Sequence, residues 1–266
     1  MSMKTAKCMV VLMIVFGYLA RAEAQVLNSA AGLQEIRSRE VAQELVQLSQ
    51  QANSAETWLE DWADLNRYRK ENSALSPTTK LEQRVVFYGD SITDAWGSPG
   101  TGDFFPGKAY VNRGISGQTT PQLLIRFSQD VVHLKPAVAV VLAGINDIAG
   151  NTGPSTPEMI EDNFAAMAAI AKQNGIKMVI ASILPSNRVS WAPAIQPSEE
   201  IRVINQWLRE FCSANNLVYL NYYDALVDSK EGMRVEFSDD GVHPTGKGYA
   251  IMAPLAEHAI TVALEK

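Results

Sequence analysis

The chain has 266 residues, 47% of them hydrophobic and 20% charged, with a formal net charge of −6. That length and apolar share suit one compact domain with a full core, and the acidic balance argues against nucleic acid or an anionic membrane as the main partner, since both select basic stripes. Of the two cysteines, Cys8 falls in a leader-like segment; Cys212 is then alone, which excludes an intramolecular disulfide after processing and leaves either a reactive thiol or, more usual among apolar helix positions, inert core.

The leader comes first. Lys4 and Lys7 precede an apolar run from Cys8 to Ala20, and Ala22-Glu23-Ala24 is an A-x-A site whose cleavage leaves Gln25 first. Ala20-Arg21-Ala22 offers a second cut. The run is short for a membrane span, so the expectation is a signal peptide over 1–24 and a secreted or periplasmic product with no stable membrane anchor. An uncleaved N-terminal anchor is the alternative. No cysteine stands at the cleavage region, which argues against a lipid anchor. Loss of three basic and one acidic side chain would take the charge from −6 to −8.

Residues 25–76 are expected to form a helical extension. From Leu33 to Arg69 the apolar residues Leu33, Ile36, Val41, Leu45 and Leu48, then Trp58, Trp62 and Leu65, recur at three- and four-residue spacing. A helical pair packed on the domain, a substrate lid and an oligomer contact are all compatible with it, and composition does not choose among them or set an oligomeric state.

From Pro77 to the end, short aliphatic runs alternate with amphipathic stretches, the mark of helices crossing over a parallel sheet. Five strands are predicted: Arg84 to Tyr88, Ala109 to Val111, Ala137 to Ala143, Ile176 to Ile183 and Leu217 to Leu220. The third and fourth lack polar alternation, as befits strands covered on both faces. Thr156-Pro157 caps and opens a helix with Met159, Ile160, Phe164 and Met167 on one face, ending near Gly175. Pro197-Ser198 opens another, with Ile201, Ile204, Trp207, Leu208 and Phe211 inward, and Thr245 is a candidate cap for a last helix towards Leu264. Ser186 to Gln196 reads as a long loop near the strand ends. The predicted architecture is a three-layer α/β/α sandwich over 77–266.

In such a sheet the loops leaving the carboxyl ends of the strands gather on one edge, where ligands bind. Gly89-Asp90-Ser91 follows strand one, so Ser91 stands near a helix N-terminus, whose free N–H groups favour an oxyanion; a plain N-cap role is equally open. Val111 to Gln118 holds two glycines that permit close backbone approach to a ligand or simply a turn. Ala143-Gly-Ile-Asn-Asp147 presents Asn146 as a neutral donor, although asparagine in a turn often bonds its own backbone. In Asp239-Asp240-Gly241-Val242-His243-Pro244, a carboxylate three residues before a histidine is placed to fix the imidazole tautomer. Spacing favours Asp240 over Asp239 for this. His133 and His258 lie at a helix end and within a helix, and make poorer candidates.

Each loop is weak evidence singly; their order along successive strands is specific. The sequence here resembles the SGNH hydrolases, also called GDSL esterases and lipases, over about two thirds of the chain. The first block reads GDSIT where the name motif has GDSL, and the third reads GIND. The resemblance implies a flavodoxin-like sheet with Ser91 as nucleophile, His243 as general base and Asp240 orienting it. It further implies an oxyanion hole of the Ser91 N–H, the Gly117 N–H and the Asn146 side chain, with no metal and no cofactor. The family's minimal core does not include the segment before Pro77.

The function expected is a serine carboxylic-ester hydrolase working through an acyl-enzyme on short acyl esters, acetyl esters of carbohydrate among them. Trp96 and Trp191 are candidates for stacking on a sugar, against the commoner use of tryptophan in packing. A lysophospholipase or acyl-thioesterase with the same residues is the alternative, and a non-catalytic binding module a more distant one.

Overall fold

The computed structural model describes residues 41–49, 60–77 and 83–266. The predicted leader over 1–24 lies outside these, as do Leu33, Ile36 and Trp58. The chain divides into two compact units, Met1–Trp62 and Ala63–Lys266. The first contributes a helix over 41–49, on which Leu45 and Val46 are exposed. Among the described residues, no helix is long and apolar enough to cross a membrane.

The continuous helical pattern expected up to Arg69 breaks before it. Residues 61–68 form turns, and helix resumes only at α1 (Arg69–Ala74). Asp64 has φ +52° and its carbonyl accepts from the Arg67 N–H at 3.1 Å, a turn that asparagine and aspartate support and that interrupts the helical ladder. The compact α/β unit also begins at Ala63, before the boundary expected at Pro77. Residues 63–77 join it because Tyr68 is buried and its hydroxyl donates to the Gly114 carbonyl, while Asn72 Nδ2 donates to Asp130 Oδ1 at 2.6 Å.

All five predicted strands form. They are β1 (Val85–Gly89), β2 (Tyr110–Gly114), β3 (Val138–Leu142), β4 (Lys177–Ala181) and β5 (Val218–Leu220), all parallel, in the order β2-β1-β3-β4-β5. Every residue of β1 and β3 is buried, as two-sided coverage requires. Strand β2 runs three residues past its predicted end because its polar Asn112 and Arg113 are satisfied from outside the sheet. Arg113 Nε donates to Asn72 Oδ1 at 2.7 Å, and its guanidinium lies 4.6 Å from the Tyr68 ring centre.

On one face α3 (Thr120–Asp130), α5 (Pro157–Gln173) and α6 (Ser198–Ala214) pack side by side. On the sheet, α8 (Gly246–Glu265) crosses β3, β4 and β5. Short helices α2 (Ser91–Asp94), α4 (Ile145–Ile148) and α7 (Tyr223–Leu226) follow β1, β3 and β5. Thr156 caps α5 as predicted, its hydroxyl accepting from the Met159 N–H, but Met159 itself is exposed. Trp207 and Phe211, expected inward on α6, are half-buried at its margin and stack on each other 4.6 Å apart. Thr245 precedes α8 without capping it by its side chain.

Candidate active site

Strand order reverses between β1 and β3, the switch point at which neighbouring loops part and leave a crevice. Gly89 closes β1 there. A Cβ at this position would come within 2.2 Å of the Leu142 carbonyl oxygen and 2.5 Å of Thr93 Oγ1. Only glycine therefore allows so close an approach. Asp90 then caps α2, its Oδ1 accepting from the Ile92 N–H at 3.0 Å, and Ser91 is the first helical residue. The capping role is thus taken by Asp90 and not by Ser91. Helix geometry leaves the Ser91 N–H without an intrahelical acceptor.

Asp90 is completely buried, and burial pushes its carboxyl up to about 7 against the opposing pull of the Ile92 N–H and the nearby His243. Its Oδ2 has no hydrogen-bond partner among the described residues.

The loop before α8 folds around Asp240. Oδ1 accepts from the Val242 and His243 N–H groups, both at 2.8 Å, and from the Ser238 hydroxyl at 3.2 Å. Oδ2 lies 2.6 Å from His243 Nδ1. Burial raises the Asp240 pKa, but these bonds, led by that from the imidazole, outweigh it and hold the carboxyl low, at about 2. A carboxylate in that state only accepts, so Nδ1 carries the hydrogen of this bond. Nε2, on the far side of the ring, lies 2.9 Å from Ser91 Oγ. Asp239 is exposed, and so are His133 and His258 on other elements.

The loops after β2 and β3 bring Gly117 and Asn146 together. Gly117 has φ +78°, a left-handed backbone that favours glycine, and its N–H makes no hydrogen bond within the described residues. Asn146 is buried; its Nδ2 donates one hydrogen to the Gln118 carbonyl at 2.9 Å, leaving the other unengaged. Asp147 anchors the same turn by accepting from the Thr120 N–H and hydroxyl at the start of α3, at 3.0 and 2.6 Å. Burial still pushes its carboxyl up, to about 6. Arg126, fully buried, donates to the Gly89 and Arg113 carbonyls, both at 2.9 Å, and so ties the ends of β1 and β2.

The two tryptophan candidates part company. Trp96 is buried at 5% exposure between Phe87, Phe104, Phe105 and Tyr249, so it is core and presents no face to a ligand. Its neighbourhood leaves a void of about 10 Å³ between Phe87, Ile92, Trp96, Tyr222 and Met252. Trp191 is 43% exposed, and its ring centre lies 5.9 Å from that of His243. Its indole N–H donates to Asn151 Oδ1 at 2.9 Å. Asn151 also bonds Asn146 and Gly117. Read in sequence, Asn151-Thr152-Gly153 signals only a turn. A larger groove of about 450 Å³, at the start of β4 and β5, contains none of these residues. Cys212 is buried in α6, which pushes its thiol up to about 12. Among the described residues, no cluster of three or more histidine, cysteine or acidic side chains is arranged to hold a metal ion.

Residues 87–251 match the GDSL-like Lipase/Acylhydrolase family. A GDSL-like lipase from Bacteroides thetaiotaomicron is 41% identical, covering 76% of this chain and 98% of its own, with TM-score 0.73. A candidate acylhydrolase from Bacteroides fragilis is 39% identical, covering 77% and 99%, with TM-score 0.74. An acetylxylan esterase from Geobacillus stearothermophilus is 34% identical over 88 residues, covering 25% of this chain and 40% of the esterase. The matched stretches span less than half the length of the curated relatives.

Proposed function

The chain belongs to the GDSL-like lipase/acylhydrolase family, and from that premise we propose that it is a serine carboxylic-ester hydrolase in which Ser91, His243 and Asp240 perform acyl transfer. The observation that carries the proposal is the unbroken run Ser91 Oγ to His243 Nε2, 2.9 Å, and His243 Nδ1 to Asp240 Oδ2, 2.6 Å. A serine hydroxyl is a poor nucleophile until a base accepts its proton. His243 Nε2 takes that proton as Oγ bonds to the ester carbonyl carbon, while Asp240 holds the hydrogen on Nδ1 and stabilises the imidazolium that results.

The carbonyl oxygen becomes an oxyanion, which accepts hydrogen bonds from the Ser91 N–H, the Gly117 N–H and the unengaged hydrogen of Asn146 Nδ2. Collapse breaks the bond to the alcohol, which leaves with the proton from Nε2. Water then attacks the acyl-serine with His243 again as base, releasing the acid and restoring Ser91. This chemistry calls on no cofactor.

The substrate class we propose is a short acyl ester, acetyl in the first instance, carried on a carbohydrate. The exposed Trp191 beside His243 favours a sugar as the alcohol, because its flat apolar face can stack on a pyranose ring. The acetylxylan esterase relative points the same way. Export to the periplasm or beyond is proposed from the leader pattern in 1–24. Initial rates on p-nitrophenyl esters from acetyl to dodecanoyl, and on acetylated xylo-oligosaccharides, test the reading. Turnover should peak at acetyl; a maximum at long chains would transfer the same triad to lysophospholipid or thioester substrates, and inertness across the panel would remove the hydrolase proposal.

A further inference from the structure

A side-chain amide can serve an oxyanion only if its nitrogen end, and not its oxygen, faces the reacting carbonyl. In Asn146 the choice is set by neighbours. The Gln118 carbonyl can only accept, so the group 2.9 Å from it is Nδ2. Asn146 Oδ1 then points towards Asn151 Nδ2, 3.0 Å away.

The orientation of Asn151 is fixed in turn. An indole N–H can only donate, so the atom 2.9 Å from Trp191 Nε1 is Asn151 Oδ1. Its Nδ2 therefore faces inward, where its two hydrogens reach Asn146 Oδ1 at 3.0 Å and the Gly117 carbonyl at 3.1 Å. The backbone N–H of Asn151 adds a bond to the Asn146 carbonyl at 3.0 Å. One half-buried side chain thus joins the loop bearing Gly117, the loop bearing Asn146 and the loop bearing Trp191.

We propose that Asn151 is the positioning residue of the oxyanion hole: it keeps the Asn146 amide from turning over, holds Gly117 in its left-handed conformation, and anchors the Trp191 ring beside His243. The inference rests on the hydrolase reading of the site. A turned-over Asn146 would aim an oxygen at the developing negative charge, and a released Gly117 would lose the geometry of its N–H. Both faults appear in the transition state and leave ground-state binding largely untouched.

The test compares kcat and KM for p-nitrophenyl acetate, with thermal unfolding run in parallel, in Asn146→Ala, Asn151→Ala, Asn151→Asp and the double variant Asn146→Ala/Asn151→Ala. Asn151→Ala should lower kcat by roughly tenfold or more with KM little changed, short of the full loss of an oxyanion donor. Asn151→Asp keeps the shape and the acceptor for Trp191 but loses both donated hydrogens, so it should lose at least as much. It also carries the test if the alanine variant fails to fold. The double variant should be slower than Asn146→Ala by less than the factor that Asn151→Ala costs alone, because part of that cost passes through Asn146.

Wild-type kcat in Asn151→Asp, or losses in the double variant that multiply fully, would overturn the inference. Ser91→Ala serves as the control on the premise. Retained turnover there would sink the hydrolase reading and this inference with it, whereas an inactive Ser91→Ala beside fully active Asn151 variants would sink the positioning role alone.

Discussion

Ser91 and His243 are 152 positions apart in sequence, and Ser91 Oγ lies 2.9 Å from His243 Nε2. The serine is carried by the end of an interior strand and the histidine by the loop before the last helix. Neither has a local reason to meet the other, and the sheet topology supplies one.

Removal of the hydroxyl should therefore stop chemistry without disturbing the fold. Ser91→Ala is expected to lose covalent labelling by a fluorophosphonate and all measurable p-nitrophenyl acetate turnover, while its unfolding midpoint stays near that of the wild type. Asp240→Asn keeps the shape but lets the imidazole adopt the wrong tautomer, and should lower kcat by about 10⁴-fold, as at other triad aspartates. Labelling at any residue other than Ser91 would show the assignment to be wrong.

On the proposed mechanism, Asn146→Ala removes one donor to the oxyanion and none to the ground-state ester. Its kcat should fall by on the order of 10²- to 10³-fold, with a far smaller change in KM. A variant that raises KM and spares kcat would mean that Asn146 binds substrate uniformly and does not act on the transition state.

Asp90 predicts a pH dependence of stability. Its carboxyl moves from an ordinary value of 3.8 when unfolded to about 7 when buried. Below pH 4 both states are protonated and no penalty exists. Between about 4 and 7 the unfolded chain gains charge first, and above 7 the folded state bears the full cost, at most on the order of 4 kcal/mol. Asp90→Asn can still cap α2, so its stability relative to wild type, from urea unfolding, should improve from pH 4 to pH 8. A flat difference would contradict the raised value. Asp240 acts in the opposite sense: its contribution is present above about pH 4 and is lost as pH falls towards 2.

Gly89→Ala drives a methyl group to 2.2 Å from the Leu142 carbonyl oxygen, and backbone cannot yield there as a flexible side chain could. The expected cost is about 3 kcal/mol or more, read as a lower urea midpoint. Gly102, whose Cβ direction is open but whose φ is +82°, should lose less on the same change.

Much of this was legible in the residues. The apolar runs at Val85, Val138 and Lys177 announced buried parallel strands because such strands need no polar face. Gly117, Asn146, Asp240 and His243 stood out as candidates from their loops, because glycine, asparagine and the Asp-x-x-His spacing are short-range signals. What escaped was set by distant partners. The continuation of β2 through Asn112 and Arg113 depends on Asn72 and Tyr68, some forty residues earlier. Trp96 was a candidate for stacking on a sugar, yet four other aromatic rings enclose it. Asn151 gives no sign of its role locally, because its three side-chain partners lie in three different segments.

The Tyr68 contact has a further effect. Strand β2 borders the sheet, and the outward N–H and C=O of its last residue, Gly114, are already taken, by Asn112 Oδ1 at 2.9 Å and by the Tyr68 hydroxyl. A border occupied in this way resists recruitment of a foreign strand. Shortening the protein to begin at Pro77 would strip away the Tyr68 half of that guard, and the loss would surface as clumping in storage before it surfaced in any assay of chemistry.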